Sequence, residues 1–143
     1  MYNAVEIEKK WQKYWEDNKI NQVDLDKAKN PFYNLWMYPY PSAEGVHVGT
    51  IFSSTGSDIY GRFKRMNGFS VLYPMGYDAF GLPAENAAIK AGEHPKKYTE
   101  MSMTNFIMQQ KALGLSYDWE RKVVTCYPEY YKWNQYFFLK FYE

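Results

Sequence analysis

His47, Gly49 and Thr50 stand where a proline-rich loop, YPYPSAEGV (38–46), meets what reads as the first turn of a helix. A helix start offers free backbone N–H groups to an anion, Gly49 leaves room for close approach, and an imidazole can donate to a phosphate or ribose oxygen. A histidine that only caps its helix has the same sequence. The second candidate is Asp78 in MGYDAFGLP, a loop with no Lys or Arg between Tyr73 and Glu85 to neutralise it. Such a carboxylate suits a substrate ammonium. The spacing fits equally well a carboxylate capping a helix that begins near Leu82. If the strands before the two loops are neighbours, His47 and Asp78 converge on one pocket beyond their carboxyl ends. The chain has no Gly-Lys-Ser/Thr phosphate loop and no G-x-G-x-x-G after its first strand, which counts against common ATPases and dehydrogenases.

The elements that must position these residues are legible in part. Asn3 caps an amphipathic helix over 3–18, with Ala4, Ile7, Trp11 and Trp15 at helical spacing and an i,i+4 pair between Glu6 and Lys10. Residues 21–30 are polar and aperiodic, a loop. FYNLWMY (32–38) is an unbroken apolar run and predicts a strand buried on both faces, ended by Pro39 and Pro41. From Gly49 onward Ile51, Thr55, Ile59, Phe63 and Met66 share one helical face, with Gly68 as the stop. FSVLYP (69–74) predicts a second strand, so 32–74 has the form of a parallel βαβ unit and the fold class is α/β. A glycine-punctuated loop over 75–83 leads into a helical region, 84–143. It holds an Ala-rich helix closed by Gly92, a helix opened by Pro95 with Met103, Phe106, Ile107 and Leu113 inward until Gly114, and a helix from Pro128 that is apolar all round.

Totals restrict the remaining possibilities. With 143 residues the chain is one domain, and 17 basic against 16 acidic residues give a net charge of +1. No global field then draws it to polyanions, so any nucleic-acid contact is local or lies elsewhere. Apolar runs fall far short of the roughly 20 residues that span a bilayer. Glu6 and Glu8 among the N-terminal lysines exclude a signal-peptide pattern, which predicts a cytoplasmic protein without membrane contact. Cys126 is the sole cysteine, and with only His47 and His94 beside it a metal site built from protein side chains is not expected. Cys126 itself reads as a small core residue. The outlying figure is aromatic content: 15 Tyr, 9 Phe and 5 Trp are more than one small core can hide. Several must face a ligand, a partner, or the rest of a larger protein.

Taken together, MYPYPSAEGVHVGT, YPMGYDAFGLPAENAAIKAGEHP and LGLSYDWERKVVTCYPEYYKWNQYFFLKFYE resemble, in order and spacing, the N-terminal catalytic segment of the leucyl-tRNA synthetase family, of class I. The likeness runs from about Ala4 to Glu143. Isoleucine and valine enzymes carry a Pro-Pro-Pro-Asn type of loop and a histidine where GYDAFG has Phe80, so the leucine type is favoured. The resemblance implies a Rossmann-type nucleotide-binding core that joins leucine and ATP, with Mg2+, into leucyl-adenylate and passes leucine to tRNA(Leu). It implies that Met37, Tyr38 and Tyr40 line the leucine pocket and that Asp78 holds the α-ammonium. His47, Gly49 and Thr50 match the His-x-Gly-His signature that meets ATP. Glu85 and Asn86 match Pro-Ala-Glu-Asn and are expected near the pocket. Thr50 replaces the second signature histidine; it is shorter and cannot carry a charge. The Lys-Met-Ser-Lys-Ser-type loop, the editing insertion and the anticodon-binding helices are not in these 143 residues. The isolated piece is therefore expected to be weakly active or inactive, and to take leucine, ATP and, mostly through other domains, tRNA only as part of a longer chain. The alternative is a truncated, non-catalytic nucleotide-binding or docking module.

Overall fold

The computed structural model describes residues 2–143. Its centre is an extended segment, Ser70 to Tyr77, that forms two consecutive strands: β2 (Ser70–Leu72) and β3 (Pro74–Tyr77). Strand β1 (Pro31–Tyr33) lies parallel to β2, with Phe32 opposite Val71. On the other side β4 (Asp118–Val124) lies parallel to β3. The carbonyls of Leu72 and Tyr73 show the alternation: Leu72 accepts from Asn34 on the β1 side, Tyr73 from Asp118 on the β4 side. Pro74 survives mid-segment because its missing N–H falls on the β1 side, where the β1 ladder has already ended. Val71, Tyr73, Met75, Tyr77 and Ala79 alternate inward and are all buried.

The expected βαβ unit is present, with α2 (Val48–Met66) as the crossover between parallel strands. Its seating differs from the expected one. Ser54, Asp58 and Gly61 are the buried residues, while Ile59, Phe63 and Met66 point outward. Small residues let the helix approach the sheet closely. A Cβ on Gly61 would stand 2.7 Å from Asn34 Nδ2, and that amide donates to the Ser57 carbonyl at 2.9 Å. A polar lattice replaces the greasy contact. Asp58 accepts from the Ser116 N–H and hydroxyl, both at 2.6 Å, and from Arg62 Nε at 2.6 Å. Arg65 donates to the Ser116 hydroxyl and carbonyl, and its burial pulls the guanidinium's pKa down from the usual value.

Three expectations are corrected: one strand, one loop and one helical region. The run 32–38 is ladder-paired only through Tyr33; beyond it Asn34 is buried and Trp36 and Tyr38 are half-buried, but Leu35 and Met37 are 73% and 81% exposed. The run is apolar because its alternate side chains line an open cleft, not because both faces are covered. The loop expected over 75–83 begins as strand β3. Within 84–143, which was expected to be helical, β4 is a strand whose register jumps from Pro74↔Asp118 to Gly76↔Val123. The intervening Glu120, Arg121 and Lys122 are exposed, so a charged bulge hides the strand from any period-2 pattern.

Helix α1 (Ala4–Asp17) is capped by Asn3 as expected. The Glu6–Lys10 pair is replaced by Lys13–Asp17, and Lys10 lies over the Trp11 ring. Trp15 docks under Arg62, whose guanidinium carbon is 5.0 Å from the ring centroid. Helices α3 (Leu82–Ala91) and α4 (Pro95–Ala112) follow, with Gly92 left-handed at the first C-cap and Pro95 opening the second. Met103 and Phe106 are buried, while Leu113 is exposed because it sits at the C-cap, where the chain turns at Gly114. Helix α5 (Pro128–Tyr142) buries none of its residues.

Candidate functional site

Both parallel strands β1 and β3 end at the same edge, and the loops leaving them bound a cleft of about 710 Å³. The first loop is held rigidly. Pro41 is fully buried, Ser102 of α4 donates to the Ala43 carbonyl at 2.7 Å, and Gln109 accepts from the Val46 N–H at 2.8 Å. Gly45 leaves room for that side chain: a Cβ there would stand 2.8 Å from the Gln109 amide nitrogen and push the amide from its place. At the loop's end His47 caps α2, its Nδ1 accepting from the Gly49 N–H at 2.9 Å. With Nδ1 occupied as acceptor, the neutral ring carries its proton on Nε2, a donor left free for a ligand. A Cβ on Gly49 would come within 3.0 Å of that ring, so this glycine lets the imidazole fold over the helix start.

The second loop begins at Asp78. Its N–H donates to the Pro39 carbonyl at 3.0 Å, and its carboxylate accepts from the Thr125 hydroxyl at 3.3 Å. It caps no helix. The N-cap of α3 is Gly81, at φ +119°, without a side-chain bond. Gly76 lets the two walls close up: a Cβ there would meet the Val123 carbonyl at 2.6 Å and the Tyr38 ring at 3.3 Å.

Met37, Tyr38, Tyr40, His47, Thr50 and Asp78 all line this one cleft. Gly49 does not line it but shapes it from behind. Glu85 and Asn86, expected near the pocket, are exposed on the first turns of α3 and do not line the cleft. Sequence reasoning missed Thr125, Gln109 and Phe106. The first two hold the loops through partners distant in sequence and so carry no local signal, while Phe106, read from its helical spacing only as a core residue, also forms part of the wall. Burial first, then the neighbouring Tyr130 hydroxyl and the Asp78 carboxylate, push the Tyr38 phenol up to about 12, so it is a neutral donor throughout the physiological range. Among the described residues no group of three His, Cys, Asp or Glu side chains is arranged to hold a metal ion, and no helix is long and apolar enough to cross a membrane. The arrangement can hold a cation at Asp78 and an anion at the α2 N-terminus within one volume.

Comparisons with known proteins give this geometry a family. The chain is 54% identical over 99% of its length to the leucine–tRNA ligase of Nitratidesulfovibrio vulgaris, and 52% identical to that of Porphyromonas gingivalis. It spans only 17% and 15% of those proteins. Among solved structures it superposes with a TM-score of 0.94 on the ternary LeuRS–tRNA–LeuAMS complex of Agrobacterium radiobacter K84, at 37% identity, covering 99% of this chain and 18% of that one. Mycobacterium tuberculosis methionyl-tRNA synthetase in complex with methionyl-adenylate gives a TM-score of 0.67 at 29% identity, covering 73% of this chain and 20% of that one. The family model described as tRNA synthetases class I (M) matches residues 35–143, more than half the chain, and on that match the chain belongs to the class I tRNA synthetases.

Proposed function

We propose that this chain supplies the amino-acid-activating cleft of a leucine–tRNA ligase, working within a longer protein in the cytoplasm. The observation that carries the proposal is the shared cleft: a carboxylate and a helix N-terminus bearing a histidine face one volume, as an amino acid and a nucleotide held side by side require. In this reading Asp78 binds the leucine α-ammonium, while Met37, Tyr38 and Tyr40 wall its side chain. The leucine carboxylate oxygen attacks the α-phosphorus of ATP, the new P–O bond forms as the bond to pyrophosphate breaks, and Nε2–H of His47 and the Thr50 hydroxyl stabilise charge on the phosphate oxygens. Thr50 donates one hydrogen bond without the positive charge a second histidine could bring. Gly49 keeps the helix start open to the nucleotide. Mg2+ fits as a companion of the ATP phosphates: the one carboxylate among the residues lining the cleft is assigned to the ammonium, which leaves the phosphates to supply the ion's oxygens. Glu85 and Asn86 are assigned no direct contact. Transfer to tRNA(Leu) falls mostly to parts of the protein outside these residues.

In the full-length protein, His47→Ala is expected to lower leucine-dependent pyrophosphate exchange about 10²–10³-fold, as loss of one transition-state donor does. An unchanged rate removes His47 from the chemistry. The alternative, a non-catalytic docking module, draws on α5, which buries none of its residues. Calorimetry separates the two readings, because a pure docking module takes up neither ATP nor leucine.

A further inference from the structure

Thr125 lies at the end of β4, almost fully buried, and its hydroxyl is fully committed. It accepts from the Ala79 N–H at 2.8 Å and from the Phe80 N–H at 3.1 Å. Both lone pairs are then in use, which leaves the single hydroxyl proton for Asp78 Oδ1, at 3.3 Å. The Asp78 backbone is fixed from the opposite side by the Pro39 carbonyl. A carboxylate at the mouth of an open cleft has several rotamers available, and only one aims both oxygens at a given ammonium. The hydroxyl of Thr125 selects among them, and its two accepted bonds set the path of the loop behind.

From this geometry we infer that Thr125 is a positioning residue for amino-acid recognition: by tying Asp78 Oδ1 to the turn at Ala79 and Phe80, it orients the carboxylate that receives the substrate's α-ammonium. The inference rests on the assignment of Asp78 to the ammonium made above. It predicts a selective effect. Loss of the hydroxyl weakens ground-state binding of the amino acid and leaves the nucleotide half of the cleft, on the α2 side, intact.

The test compares Thr125→Val, Thr125→Ser, Asp78→Asn and the Thr125→Val/Asp78→Asn double variant in the full-length protein, by leucine-dependent pyrophosphate exchange. Thr125→Val is expected to raise the leucine KM about tenfold through loss of its hydrogen bond to the charged Asp78, with kcat and the ATP KM within about twofold, while the Ala79 and Phe80 N–H groups it also strands lower stability. Thr125→Ser restores the leucine KM. In the double variant the Thr125 substitution adds nothing to the leucine KM, because on that readout it acts only through Asp78. An Asp78→Asn effect on leucine KM combined with no effect of Thr125→Val overturns the inference and leaves the ammonium assignment standing. No effect of Asp78→Asn overturns the assignment and the inference with it. A parallel rise in the ATP KM, or failure of serine to restore, shows a merely structural role and also overturns it. If Thr125→Val does not fold, Thr125→Cys replaces it, being close in size with a poor donor, and the same criteria apply.

Discussion

Tyr77 and Tyr117 are both wholly buried yet differ in how their hydroxyls are used. Tyr77 donates to Gln110 Oε1 at 2.9 Å, whereas the Tyr117 hydroxyl has no partner. Removing Tyr77's hydroxyl strands a buried acceptor, so Tyr77→Phe is expected to cost about 1–3 kcal/mol in urea unfolding. Tyr117→Phe removes an orphan and is expected to be neutral or to stabilise by up to about 1 kcal/mol. Equal losses in the two variants would contradict this reading. The same tyrosines govern the alkaline limit. Burial raises the pKa values of Tyr73, Tyr77 and Tyr117 above the ordinary 10.0, because the phenolate is disfavoured inside. The unfolded chain therefore loses these protons first as pH rises. Stability is whole below about pH 10 and falls above it, by up to about 1.4 kcal/mol per pH unit for each tyrosine, until the folded values are reached. Denaturant titrations between about pH 8 and about pH 11.5 should show a plateau and then a decline, less steep by one proton in Tyr77→Phe.

The seating of α2 decides what can be learned from a pattern at the scale of an element. Asp58→Ala leaves the Ser116 N–H buried without its acceptor and Arg65 beside an emptied site. A cost of about 2–4 kcal/mol in unfolding free energy is expected, discounted for the partial exposure of Arg62. Ile59→Ala, on the apolar stripe that faces solvent, is expected to cost less than about 1 kcal/mol. The reverse ranking would restore the apolar stripe as the buried face. Periodicity located α2 and its ends but not its inner face, because a helix seated by serine, aspartate and glycine leaves the larger apolar stripe for another neighbour. The Gly92 and Pro95 signals were readable for local reasons, since each is dictated by backbone conformation at one or two residues, whereas the end of β1 at Tyr33 was not, because the apolar run continues past it along the cleft. Strand β4 was not, since its pairing depends on a bulge that places three charged residues outward. At the cleft, His47, Thr50, Tyr38, Met37, Tyr40 and Asp78 stood out through loop chemistry and family resemblance. Thr125 and Gln109 did not, because their roles come from contacts 47 and 63 residues away in sequence.

At the scale of the molecule, the exposed side chains form a pattern. Ile59 and Phe63 on α2, and Trp133, Phe137, Phe138 and Phe141 on α5, are each more than half exposed, on a chain spanning 15–17% of its curated relatives. Monomers rarely leave contiguous apolar faces of more than a few hundred Å² in water, which is a poor neighbour for such side chains. The 143 residues alone are therefore expected to self-associate, visible as concentration-dependent sedimentation. Phe138→Lys with Phe141→Lys should shift the distribution toward monomer with a change in stability within about 0.5 kcal/mol, since both rings are mostly exposed and the one ring Phe138 stacks on, Tyr142, is itself at the surface. Association that persists in this double variant, with α2 likewise charged at Ile59, would locate the contact elsewhere. Dissociation bought only at the cost of unfolding would show that α5 contributes to the fold, against its lack of any buried residue.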